Sequence, residues 1–150
     1  MLPLKSLLID HCERYCAQRI HAAQEAMRSA QDSANDETKS SAGDKHETGR
    51  AMAMLEVEMN SRQLREAESL QDIFRRIDFN RSSETIVPGS LVMTTQGVFL
   101  IAISAGTVRM EDQTCFLIAP DAPIGRLLMG KRAGDVFLFQ GREFCILTIG

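Results

Sequence analysis

Two acidic side chains three positions apart, Asp44 and Glu47 in the stretch SSAGDKHETGRAM (residues 40–52), are the residues best spaced for chemistry. On a helix, positions i and i+3 share a face, with Cβ atoms about 5–6 Å apart. Two carboxylates at that spacing can share a hard cation such as Mg²⁺, or hold the water beside it. They make only part of a site, and further oxygen ligands must come from a partner or from substrate phosphates. The same spacing suits a capping box, with Asp44 as the N-cap and Glu47 three residues on. Both acids would then meet the positive end of a helix dipole, for about 0.3–1 kcal/mol each when exposed. Cap and ligand are compatible roles, and the spacing does not choose between them.

The other polar residues carry less. Ser40 and Ser41 have no His/Asp pattern that would make a nucleophile. Gly43 and Gly49 do not form a phosphate-cradling loop. His21 and His46 stand alone on helical patterns, and Lys45 and Arg50 flank the acids. Cys12 and Cys16 are i,i+4 on a helical pattern, whereas Cys115 and Cys145 fall in strand-like runs. With His11 as the sole neighbour and no second ligand cluster at zinc spacing, four free thiols are expected. GKRAGD (residues 130–135) reads as a polar turn before a strand.

Two long helices must position the acids. Over residues 4–38, apolar or small residues recur at Leu4, Leu8, Cys12, Tyr15, Ala23, Ala26, Ala30 and Ala34, bulky at first and Ala-rich later. Over residues 47–77 the stripe is Leu55, Met59, Gln63, Ala67, Leu70, Phe74 and Ile77. A short linker between two such stripes predicts an antiparallel hairpin in which they face each other. At about 1.5 Å per residue, thirty residues give an arm of roughly 45 Å with the acids at its tip.

A two-helix hairpin has little core and needs an anchor. After DFNRSS the pattern changes to six short runs rich in β-branched residues and Phe: LVMTTQ, VFLIAIS, TVRM, TCFLIA, DVFLFQ and REFCILTI. PIGRLLMG (residues 123–130) interrupts them as a short helix, with Pro at its start and Gly at its stop. The expected class is α+β: a coiled-coil hairpin over 1–77, a hinge over 78–83, and a small β-rich domain over 84–150, its mainly antiparallel sheet covering a short helix.

Composition limits the partners. The formal net charge is −3, and neither half of the chain is a polycation, which argues against nucleic-acid binding through phosphate neutralisation. MLPLKSLLID lacks the basic start and long apolar core of a secretory signal, and no run approaches the roughly 18 apolar residues of a membrane span. A cytoplasmic protein with no membrane partner and no sequence-specific DNA binding is expected.

Two segments resemble the Gre factors, the bacterial transcript-cleavage and elongation factors. GDKHETGRAM is similar to their tip, Gly-Asp-x-x-Glu at the turn between two long helices. APDAPIGRLLMGKRAGDVFLF is similar to their Ser-Pro-Ile-Ala-x-x-Leu-x-Gly-Lys-x-x-Gly-Asp segment, matching at Pro123, Ile124, Gly130, Lys131, Gly134 and Asp135. The order of coiled coil and β domain extends the resemblance over nearly the whole chain. It implies an FKBP-like C-terminal domain that binds bacterial RNA polymerase at the rim of its secondary channel, with Asp121, Ala122 and Pro123 in the rim-binding loop. It implies that Asp44 and Glu47 share Mg²⁺ with the polymerase, promoting cleavage of a backtracked RNA 3′ end by the polymerase itself. After Glu47 the usual Asn-Ala-Glu-Tyr is replaced by Thr-Gly-Arg-Ala. The rival readings are a secondary-channel regulator or inhibitor that does not promote cleavage, and a coiled-coil adaptor whose acids only cap. A prolyl isomerase comes last, since fold alone does not license function and Gre-type domains lack that pocket.

Overall fold

The structure is a computed structural model. It describes the backbone of residues 2–39 and 43–150, and the side chains of these except 37–39 and 43–46. The order of elements is α1 (Pro3–Lys39), α2 (Gly43–Arg75), β1 (Leu91–Thr94), β2 (Gly97–Ile101), β3 (Gly106–Met110), β4 (Gln113–Ile118), α3 (Pro123–Leu128), β5 (Val136–Phe139) and β6 (Arg142–Ile149). This is the expected α+β class, a helical pair followed by a six-stranded mixed sheet. The chain forms two compact units, one of Met1–Glu13 with Ile73–Gly150, the other of Arg14–Asp72.

In the sheet unit the strand order is β3-β4-β2-β1-β6-β5. Every neighbouring pair is antiparallel except β2 and β4, which run parallel with Val98 opposite Cys115 and Ile101 opposite Ile118. β3 is the excursion that allows it, leaving β2 and returning as the outer partner of β4. One core joins Val92, Phe99, Ile101, Phe144 and Ile146 of the sheet to Ile124 and Leu128 of α3 and to Ile86. The residues alternating with these, Leu91, Leu100, Cys115 and Leu117, are also fully buried, so the central strands are apolar on both faces. Leu4, Leu8 and Cys12 from the start of α1 and Phe74 from the end of α2 are buried in the same unit. Lys5 ties α1 in: its Nζ donates to the Phe79 carbonyl at 2.6 Å and to the Gly150 carbonyl at 3.3 Å. Among the described residues the cysteines form no disulfide, and burial pushes the Cys115 thiol up.

In the helical unit the two helices are antiparallel. Asn60 Nδ2 donates to the Ala26 carbonyl at 3.3 Å. Further along α1, Ser33 shares a groove with Gly49 to Met59, earlier on α2. The seam is small: Cys16, Ala23, Ala30 and Ala34 on α1, and Ala53, Asn60 and Ala67 on α2, are buried. Half-buried Val57 and Leu64 complete the α2 row, which steps by four and three as a coiled-coil seam does. The first three positions of the expected α2 stripe therefore need correcting. Ala67 is in the seam, but Leu55 and Met59 are 65% and 53% exposed, and Gln63 is exposed too. Three successive steps of four place Leu55 about 120° around the helix from Ala67, whereas alternating fours and threes keep one face.

Candidate functional site

Two places carry the residues that the sequence singles out. The first is the start of α2. The helix begins at Gly43, one residue before Asp44, so Asp44 lies inside the first turn and not at the N-cap. Glu47 follows one turn later on the same side of the helix and is exposed. The side chain of Asp44 lies outside the described residues. The first-turn position keeps the favourable dipole for Asp44, with Glu47 one turn further in, but removes the capping box in which Asp44 itself is the cap.

The donor set fits a hard cation only in part. Two carboxylates supply two of the six or more oxygens that Mg²⁺ requires. Among the described residues no group of three or more His, Cys, Asp or Glu could hold a metal. A cation at Asp44 and Glu47 would depend on oxygens from another molecule.

The second place is the loop before α3. Asp121 and Pro123 are exposed and Ala122 is half-buried. The loop is fixed by its backbone: Ala122 N–H donates to the Ala119 carbonyl at 3.1 Å, and Ala119 N–H to Ser104 Oγ at 3.2 Å. Ala122 is the N-cap, without a side-chain cap, and Arg126 N–H donates to its carbonyl at 2.8 Å. Gly125 is what lets the loop lie against α3. A Cβ there would sit 2.2 Å from the Ala119 carbonyl oxygen and 3.0 Å from that of Pro120. Beyond α3, Gly130 takes φ +81°, and the Ile86 backbone donates to and accepts from residues 130–131. Asp135 closes the GKRAGD turn by accepting Arg132 N–H at 2.8 Å.

Next to this loop is a cavity of about 490 Å³ that sequence reasoning missed. Its walls are Phe99, Phe116, Ile118, Ile124, Phe139 and Phe144, and Gln96, Gln140 and Arg142 complete its lining. Phe99 stacks on Phe116 with centroids 4.8 Å apart and tilts against Phe144 at 6.1 Å. Ile124, the residue after Pro123, joins the loop to the cavity. These walls come from four strands and a helix far apart in the chain, and each reads locally as core. The size and apolar lining suit a bound apolar group.

No family model matches the sequence, and no curated protein matches it. Among solved structures the chain is similar to that of the transcription factor Gfh1, over 91% of this chain and 92% of that one, at 20% identity and a TM-score of 0.38.

Proposed function

We propose that this protein is a Gre-like factor that enters the secondary channel of bacterial RNA polymerase. In this reading Asp44 and Glu47 at the hairpin's loop end promote Mg²⁺-dependent cleavage of backtracked RNA and so restart elongation. The observation that carries the proposal is the placing of the two acids one turn apart in the first turns of α2, at the loop end of an antiparallel hairpin. The two segments similar to Gre factors support it. The protein needs no active site of its own, because the nuclease is the polymerase's.

Each part then has a task. The Ala-rich seam allows close helix approach, so the hairpin is slender. Asp44 and Glu47 supply the oxygens that complete a cation site belonging mostly to the polymerase, and Glu47 is exposed as this requires. When bound there, Mg²⁺ supplies charge neutralisation and an activated water for phosphoryl transfer. Asp121, Ala122 and Pro123 form the docking loop, held by Gly125 against α3, and the adjoining Phe-lined cavity seats an apolar side chain of the polymerase rim.

RNA cleavage in a defined backtracked elongation complex tests this, comparing wild type with the Asp44→Asn, Glu47→Gln double variant at equal occupancy. Wild type is expected to shorten the RNA, and the double variant to bind without shortening it. Binding without cleavage by either protein would make this a channel-occupying regulator. The exposed Met52, Leu55 and Met59 favour that second reading, since they offer the arm contact area that does not depend on the acids. Failure to bind polymerase at all would leave the adaptor reading.

A further inference from the structure

The sheet has two edges, and they are built differently. β3 is one and β5 the other. Each belongs to a tight hairpin, β3-β4 turning at Glu111–Asp112 and β5-β6 at Gln140–Gly141, with positive φ at both turn residues. In such two-residue turns the flanking residues form a hydrogen-bonded pair, and bonded and non-bonded pairs alternate from there. On β5 the bonded positions are therefore Phe139 and Phe137. Ile146 N–H donating to the Asp135 carbonyl at 2.9 Å continues the same alternation. Val136 and Leu138 consequently turn their N–H and C=O groups to the open side. The same count on β3 gives Thr107 and Arg109.

Those outward positions differ in chemistry. β3 places a charged side chain, Arg109, on its open edge, with Glu111 and Asp112 in the adjoining turn and the Arg109 guanidinium donating to the Asp112 carbonyl. Charge of this kind is how proteins protect edges from pairing. β5 is Val-Phe-Leu-Phe, with no charge, no proline and no bulge within it. Val136 is 54% exposed and Leu138 is 69% exposed.

We infer that β5 is an interface between two copies of this chain, paired antiparallel about a two-fold axis at Phe137. The pairing is self-complementary. Centred there, Val136 of each copy meets Leu138 of the other as a hydrogen-bonded pair, which satisfies the outward N–H and C=O groups of both residues at once. Val136 then packs on Leu138 on one face of the joined sheet, and apolar cross-strand pairs of this kind are stabilising, while on the other face Phe137 stacks on Phe144 of its own chain with the Lys131 ammonium 5.6 Å from its ring centroid. No charge on β5 selects a different partner. Two four-residue strands bury less than a standard interface, so the dimer is weak, with a dissociation constant in roughly the micromolar range or above. The inference is independent of the polymerase reading.

Sedimentation of the full chain over a wide concentration range tests it, with Leu138→Lys as the variant. Leu138 is exposed, so the change leaves the fold intact, which circular dichroism checks. Wild type is expected to dimerise with rising concentration, and Leu138→Lys to weaken this roughly tenfold or more by setting charge in the pairing edge. Amide exchange gives a second readout, with Val136 and Leu138 gaining protection in concentrated wild type but not in Leu138→Lys. A wild type that stays monomeric throughout, or a dimer that Leu138→Lys leaves unchanged, overturns the proposal.

Discussion

The two units of this protein are held together by opposite means. The sheet unit packs large side chains, including Ile101, Leu117, Leu128 and Ile146, all at 0–1% exposure. The helical unit buries mainly alanines, with Cys16 and Asn60, and leaves Met52, Met54, Leu55 and Met59 in solvent. Burying a Leu or Ile side chain contributes about 1.5–3 kcal/mol, and an Ala far less. Stability is therefore concentrated in the sheet unit, and the hairpin gives up packing energy for close helix approach. The buried Asn60 fits this economy, since a polar residue in a coiled-coil seam fixes register at some cost in stability.

The contrast breaks most sharply in the sheet core. Ile101→Ala removes a fully buried side chain that packs with Val92, Phe99 and Ile146. It is expected to cost about 2–5 kcal/mol in urea unfolding. A cost near zero would mean that the core is not where stability lies. Next in size is Gly125→Ala. Its Cβ meets backbone oxygen and not the end of a flexible side chain, so the loop at residues 119–120 must move. About 1–3 kcal/mol is expected. Under the polymerase reading the same change also weakens polymerase binding, because it displaces Asp121, Ala122 and Pro123 together.

Asn60→Ala should cost less, about 1 kcal/mol, since one hydrogen bond to the Ala26 carbonyl is lost while that carbonyl stays within helix α1. Chemical denaturation followed by helix circular dichroism reads it. Lys5 gives a pH-dependent effect. Burial pushes its ammonium below the ordinary 10.5, and Asp78 pulls part of that back. The folded protein thus gives up this proton more readily than the unfolded chain. Between the lowered pKa and 10.5 the unfolded state binds more protons, so this group makes stability rise with pH. Lys5→Met should remove that rise, by at most about 1.4 kcal/mol per pH step, and urea midpoints at closely spaced pH values would show it. A variant with the wild-type slope would assign the rise to another group.

Much of the fold is legible in the sequence, because it follows from local pattern. All six strand-like runs form strands, and Pro123 and Gly130 bracket α3 and the turn after it. What is not legible is non-local. The parallel pairing of β2 with β4 depends on where β3 goes, which no run of residues encodes. The cavity is invisible because Phe99, Phe116 and Phe144 look like any core phenylalanines until three strands bring them to one wall. The spacing of Asp44 and Glu47 is legible, but the N-cap expected at Asp44 is not there, because α2 starts two residues earlier than that cap requires, at Gly43.

The smallest expected effect is the most discriminating. The sequence stripe places Leu55 in the helix–helix contact, and the structure leaves it 65% exposed between two shallow grooves. A leucine in the seam would lose about 2–5 kcal/mol on truncation, whereas an exposed one loses within about 0.5. Leu55→Ser should therefore leave the unfolding midpoint of the hairpin nearly unchanged, while Ala53→Leu, two residues away but in the seam, should cost about 1–3 kcal/mol by overpacking. The reverse pattern would restore the stripe of fours and rotate the whole α2 face. If Leu55 is exposed as described, its apolar side chain contributes almost nothing to folding, and any loss of polymerase binding in Leu55→Ser then reports contact and not stability.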